Sequence, residues 1–311
     1  MQFLFSIINI FITILIIVFF IRYFIEPYRF YGFGPLMVGI IQITEKLLAP
    51  LRRIFPRSAL KLQDQMPLLA ILILLLLRGL LIWIVGAGYP IAHYQSFPLV
   101  FRRNLLNGLL LSMADSFTMG VILVTQLLIA VQFISMVISR SGIIMAGNAG
   151  YACFKEKTFA IFQFTQKFSK TDDLRRLFYI SGLTIWVAGA ILAVFTSLSF
   201  LYGIGAMQRV FFLALMQIVL GLINFYVLVL IVAIIASWIG ADRFSVVVQI
   251  IHALTEPFLG FFRRVFPWAR IDFIDLSPIF GFIALMILSW IIQSLLASAM
   301  FALNFNQLPI T

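Results

Sequence analysis

Six long apolar stretches, separated by shorter polar ones, organise this chain of 311 residues. They cover 3–24, 67–85, 109–138, 177–201, 210–239 and 279–303, each close to or above the ~20 residues an α-helix needs to cross a bilayer. None alternates like a strand or carries the one-sided stripe of a soluble helix. The pattern predicts an all-α polytopic membrane protein with about six transmembrane helices. The run at 210–239 is longer than an upright crossing needs, which predicts a tilt or a surface turn at its start. A second pattern fills the loop 244–267. There Gln249, His252 and Glu256 recur at helical spacing, while Val247, Ile250, Ile251, Leu254 and Phe258 fill the other side. This predicts an amphipathic helix lying in the membrane interface. Proline fits only a first turn, so the helix is expected to restart at Pro257, with Thr255 or Glu256 near its N-cap.

Composition supports the membrane reading. Of all residues 63% are hydrophobic and 11% charged, against about 25% charged in soluble domains. The first run has no preceding Lys or Arg and no small-residue cleavage pattern after it, so it is expected to be a retained helix. The one cysteine, Cys153, has no partner for a disulfide and no spacing for a metal site. The net charge of +11 follows topology. The segments 29–61, 140–176 and 243–270 hold seventeen Lys and Arg, while the other two loops hold three, Arg102, Arg103 and Arg209. The positive-inside rule then places the three basic loops in the cytoplasm and both termini outside. Anionic lipid headgroups are the implied partner of this charge, and nucleic acid is not.

The loops also carry an internal repeat. An offset of 211 residues brings Thr44-Glu45, Leu48, Arg52-Arg53, Phe55-Pro56, Asp64 and Pro67 onto Thr255-Glu256, Leu259, Arg263-Arg264, Phe266-Pro267, Asp275 and Pro278. Most of these are polar residues or prolines, which shared hydrophobicity does not align by chance. With short gaps allowed upstream, Asn9 pairs with Asn224 and Arg29-Phe30 with Arg243-Phe244. Four helices separate equivalent positions, so both copies cross in the same sense: a parallel repeat. The chain divides into a first copy at 1–85, an inserted region at 86–209 and a second copy at 210–311. The insertion carries a basic loop whose segment 156–170 interleaves Phe and Lys and suits another interfacial helix.

Thr255-Glu256-Pro257, Arg263-Arg264 and Ile274-Asp275-Leu276-Ser277-Pro278 resemble the YggT family of bacterial membrane proteins and their plastid relatives. The first copy departs from the pattern, with Lys46 in place of the proline and Gln65-Met66 before Pro67. The resemblance implies a multi-pass protein of the bacterial inner membrane. It also implies a role in osmotic or ion homeostasis, or in assembling and organising other membrane proteins.

The polar residues set the chemistry. Glu45 and Glu256 lie among apolar neighbours, where a carboxylate is costly unless paired. The expected partners are the Arg pairs Arg52-Arg53 and Arg263-Arg264, either seven and eight residues on in the same copy or across in the other copy, in a structural network with Thr44 and Thr255 beside it. Proton or cation binding by the two carboxylates is the competing role. The Arg pairs suit both lipid phosphates and simple topology anchoring. Asp64 and Asp275 precede helix-opening prolines and are expected to cap. Within the spans, Arg78 and Asp115 lie on consecutive helices and are expected either to pair or to leave Arg78 snorkelling. Asn9 and Asn224 suit interhelical hydrogen bonds. His93 and His252 have no metal-ligand spacing.

No enzymatic constellation emerges: there are no paired histidines, no Gly-rich phosphate loop and no nucleophile elbow. No cofactor is expected. The leading expectation is a non-enzymatic scaffold or assembly factor that holds lipid, other membrane proteins or further copies of itself at the cytoplasmic face. The alternative is a small ion or solute transporter with a path lined by Asn9, Asn224, Arg78 and Asp115.

Overall fold

The computed structural model describes residues 2–24, 35–54, 65–88, 105–140, 158, 163, 166, 173–202, 204–238, 246–266, 270–271, 274–275 and 277–305. The helices are α1 (Gln2–Phe24), α2 (Pro35–Ile54), α3 (Met66–Gly88), α4 (Leu105–Arg140), α5 (Leu174–Thr196), α6 (Ile204–Trp238), α7 (Val246–Val265) and α8 (Ser277–Phe305). Two residue pairs, β1 (Arg270–Ile271) and β2 (Ile274–Asp275), form a short antiparallel ribbon. Six helices (α1, α3, α4, α5, α6 and α8) are long and apolar enough to cross a membrane, as the hydrophobic pattern predicts. The motif-bearing helices, α2 and α7, are not among them.

Two boundaries differ from the sequence expectation. The fourth span stops at Thr196, because the chain turns at Ser197 and Leu198 and then forms a 3₁₀ turn over Ser199–Tyr202. The hydroxyls of Ser197 and Ser199 both donate to the Val194 carbonyl, at 2.9 and 3.1 Å, satisfying an acceptor that the helix end leaves open. Leu198 takes a left-handed conformation to make the turn. After the turn α6 begins at Ile204 and runs for 35 residues, or about 52 Å at 1.5 Å per residue. It therefore outlasts a hydrocarbon core of about 30 Å.

The helix restart expected at Pro257 does not occur: α7 runs unbroken through it. Interior proline removes a ladder hydrogen bond and pushes carbonyls of the preceding turn aside. Here Pro257 is exposed, and Leu254, Thr255, Leu259 and Phe262 are buried on both sides of it. Packing therefore holds the two halves in one line. Tyr226 Oη donates to the Leu254 carbonyl at 2.9 Å, which ties α7 to α6 one residue after the Ala253 carbonyl whose ladder donor Pro257 removes. Pro50 lies inside α2 in the same way, on an exposed face.

The chain forms two compact units, and each holds one copy of the repeat. The first comprises Met1–Leu127, Gly147–Lys157 and Gly189–Val210; the second comprises Leu128–Ala146, Thr158–Ala188 and Phe211–Thr311. The inserted helices α4 and α5 contribute to both. In the first unit α1 packs on α2 and α3 through Ile12, Ile16, Phe19 and Phe20. The early part of α4 lies close against α3. Ser116 Oγ donates to the Leu75 carbonyl at 2.6 Å, and a Cβ on Gly79 would sit 3.1 Å from Met113 Cα. In the second unit Ile223, Leu230, Leu259 and Leu285 form a core with Tyr226 and Phe258 around it. Gly281 lets Phe258 approach, since a Cβ there would lie 2.8 Å from the ring.

Burial corrects the upstream register of the repeat. Ile12, Phe19 and Leu48 are buried in the first copy, and Ile223, Leu230 and Leu259 in the second. These pairs keep the ungapped offset, so helix packing follows the same frame as the loop motif. Asn9 and Asn224 are not equivalent under it. Asn9 is half-buried and Asn224 is exposed.

Candidate functional site

The motif helices carry the structure's clearest polar organisation. In α2 the residues Thr44 and Leu48 point inward and are fully buried. Thr44 Oγ1 donates to the Ile41 carbonyl at 3.0 Å, so its hydroxyl is satisfied within the helix. Glu45 follows on the same side and reaches two turns ahead to Arg52. Arg52 grips the carboxylate with both nitrogens, Nη1 to Oε2 at 2.6 Å and Nη2 to Oε1 at 3.2 Å. A second guanidinium arrives from the last turn of α1: Arg22 Nη2 donates to Glu45 Oε1 at 2.5 Å. The Arg22 side chain is 4% exposed and that of Glu45 30%, so the bond is mostly shielded from water. Burial alone would raise the Glu45 pKa, but hydrogen bonds from Arg22 and Arg52 and their positive charges outweigh it and hold the carboxyl below its ordinary value.

The second copy repeats half of this arrangement. Thr255 is buried, and its hydroxyl donates to the Ile251 carbonyl at 2.9 Å. Leu259 is buried beside it. Arg263 Nη1 donates to Glu256 Oε1 at 2.6 Å, the seven-residue spacing of the first copy. The position equivalent to Arg22 is Ala233, itself buried. With no second guanidinium there, Glu256 is 60% exposed. One motif thus yields a two-arginine cluster in one copy and a single exposed ion pair in the other.

The profile of the CCB3/YggT family matches residues 1–85 and 212–296, together more than half of the chain and at the same offset as the buried positions. The chain belongs to the CCB3/YggT family. Each matched segment holds a helix–motif–helix unit, and the motif's Glu–Arg pairs lie on α2 and α7. The uncharacterized protein PA0392 of Pseudomonas aeruginosa is 26% identical over 98 residues, 31% of this chain. That match spans 49% of the relative, so this chain covers about half of its length. No solved structure matches this YggT-family chain.

The remaining predicted site residues fall into three groups. Arg53 and Arg264 are exposed at the ends of α2 and α7, outside the Glu–Arg bonds. Asp275 lies in the ribbon opposite Arg270, two residues ahead of α8. Asp64 lies outside the described residues, as do His93, Cys153 and most of 156–170. Arg78 and Asp115 are both half-buried on neighbouring helices. The contacts of Leu75 with Ser116 and of Gly79 with Met113 set an antiparallel register that brings the two charges to the same level.

Sequence reasoning missed Arg22, the most buried member of the cluster. Its signal was a lone basic residue near the end of an apolar run, which lay inside the span and so outside the loop segments counted for topology. It also missed a buried amide–hydroxyl pair: Ser181 Oγ donates to Gln132 Oε1 at 2.8 Å, with both residues fully buried. Polar residues inside an apolar run that does not repeat gave no register from which to pair them.

Proposed function

We propose that this CCB3/YggT-family protein is a non-enzymatic scaffold of the bacterial inner membrane, with α2 and α7 lying at the cytoplasmic interface to hold lipid and neighbouring membrane proteins. The observation that carries this reading is the division of each motif helix into two faces. The inner face is fixed by Thr, Leu and the Glu–Arg bond. The outer face mixes apolar and basic side chains: Ile43 and Leu47 with Lys46 and Arg53 in α2, Phe261 and Val265 with Arg264 in α7. A helix of that composition is at home where acyl chains meet headgroups. The Glu residues serve as counter-charges for arginine, which supports docking over transport.

The test uses the full chain reconstituted in liposomes. Environment-sensitive labels at Leu47→Cys and Phe261→Cys, in a Cys153→Ser background, are exposed to quenchers fixed at headgroup depth and at the bilayer centre. Headgroup-level quenching at both positions is expected. In the same vesicles, ion efflux is expected to match that of empty liposomes. A protein-dependent flux abolished by Glu45→Gln or Glu256→Gln would replace the scaffold with a transporter.

A further inference from the structure

The two copies differ on one face, and the difference selects a ligand. In α7 the residues Leu254 and Phe258 are covered from α6: Tyr226 stacks edge-on against the Phe258 ring at 5.2 Å and hydrogen-bonds the Leu254 carbonyl. At the offset of 211 their counterparts in α2 are Ile43 and Leu47, and Tyr226 is replaced by Leu15. Leucine has neither the ring nor the hydroxyl, and Ile43 and Leu47 stay 59% and 43% exposed. The same helix face carries Lys46 between them and Arg53 two turns further on, both exposed. Lys46 stands where the second copy has Pro257, so this basic edge belongs to the first copy alone. Neither Lys46 nor Arg53 has an acidic partner among the described residues, and Glu45, the carboxylate in the same helix, is taken up by Arg22 and Arg52.

We infer that the outer face of α2 is a binding site for an anionic phospholipid, with acyl chain against Ile43 and Leu47 and phosphodiester at Lys46 and Arg53. This rests on the interfacial placement of α2 proposed above and goes further in choosing one copy and one lipid class. The apolar pair favours a chain-bearing ligand over free phosphate. The uncompensated cations favour an anionic headgroup over a zwitterionic one, by about a kilocalorie-scale contribution per cation near the surface. The face of α7 is not equivalent, because Tyr226 already fills it.

The full chain in mild detergent, offered an equimolar mixture of phosphatidylglycerol and phosphatidylcholine, is read by native mass spectrometry for retained lipid. Phosphatidylglycerol is expected to be retained preferentially. Lys46→Gln with Arg53→Gln should lower its retention on the order of tenfold or more. Ile43→Ser with Leu47→Ser should lower retention of either lipid, while Arg264→Gln in the second copy should lower phosphatidylglycerol retention far less than the first-copy pair does. These positions are exposed, so size exclusion and unaltered thermal stability verify that each variant is folded. Equal retention of the two lipids by the unmodified chain overturns the inference without needing any variant. Equal loss on Arg264→Gln also overturns it, while leaving the interfacial scaffold intact. Bulk-depth quenching of α2 in the liposome test would instead remove the reading beneath it.

Discussion

Glu45→Gln is the change that most directly tests the asymmetry between the copies. It keeps the side chain's size but removes the charge that two arginines share, and it turns an acceptor oxygen into an amide donor facing donors. Arg22 cannot escape to water, since its side chain is 4% exposed. Breaking a fully buried pair costs about 3–5 kcal/mol and an exposed one about 0–1. With Glu45 itself 30% exposed, the loss should fall between these limits, at roughly 2–3 kcal/mol. The same change at Glu256, which is 60% exposed and has one arginine, should cost less than about 1 kcal/mol. In thermal unfolding of the detergent-solubilised chain the first loss corresponds to a fall of roughly 3–5 °C. Acid supplies an independent check. Because the folded-state pKa of Glu45 is depressed, its contribution is complete above the ordinary carboxylate range and is lost as pH falls through the lowered value. The unmodified chain should therefore lose stability on acidification more steeply than Glu45→Gln. Equal thermal losses for Glu45→Gln and Glu256→Gln, or parallel acid profiles, would refute the reasoning.

Three further outcomes are expected. In a Cys153→Ser background, cysteines at Gln2 and Thr311 should react with an impermeant maleimide in intact cells; labelling only after permeabilisation would reverse the topology. Arg78→Leu with Asp115→Leu together should destabilise the extracted protein less than either single change, because a lone buried charge costs more than none; strictly additive losses would mean that the two charges do not interact. Tyr226→Phe should lower stability by about 1 kcal/mol through the lost bond to the Leu254 carbonyl, and by a similar amount in a Pro257→Ala background, because the ladder bond that alanine restores ends on the Ala253 carbonyl; a much smaller loss there would couple the tyrosine to the proline.

The spans and the repeat were legible in the sequence for a simple reason: membrane crossing imposes length and apolarity on each helix by itself, and the loop motif recurs in polar letters. The seven-residue Glu–Arg bond was legible too, because both ends lie on one helix two turns apart. What the sequence did not reveal depends on contacts between elements. Arg22 reaches Glu45 only after α1 and α2 have packed. Pro257 lies within α7 among buried neighbours that pack the helix on both sides of it, whereas local propensity alone predicts a break. The fourth span ended early because Ser197 and Ser199 cap a turn inside a run of apolar neighbours, where hydrophobicity alone shows no boundary. The upstream register failed similarly: matching Asn9 to Asn224 rewarded a shared letter, while the buried positions Ile12 and Ile223 show the true frame.

Two copies of one unit in a single chain separate what the motif requires from what each copy adds. Both bury a threonine that satisfies its own hydroxyl, both bury a leucine one turn later, and both join glutamate to the arginine seven residues on. That common set fixes a helix in place: an inward apolar edge orients it, and arginine neutralises a carboxylate set among apolar neighbours, which is costly when unpaired. The differences lie around it. Arg22 against Ala233 decides whether the glutamate is drawn inward or left in water. Leu15 against Tyr226 decides whether the adjoining face is open or filled, and Lys46 against Pro257 decides whether that face is basic. Substitutions of the shared buried threonine or leucine should therefore unseat the helix in either copy, whereas exchanging Lys46 or Leu15 for its counterpart should change the outer face of the first copy without unseating it.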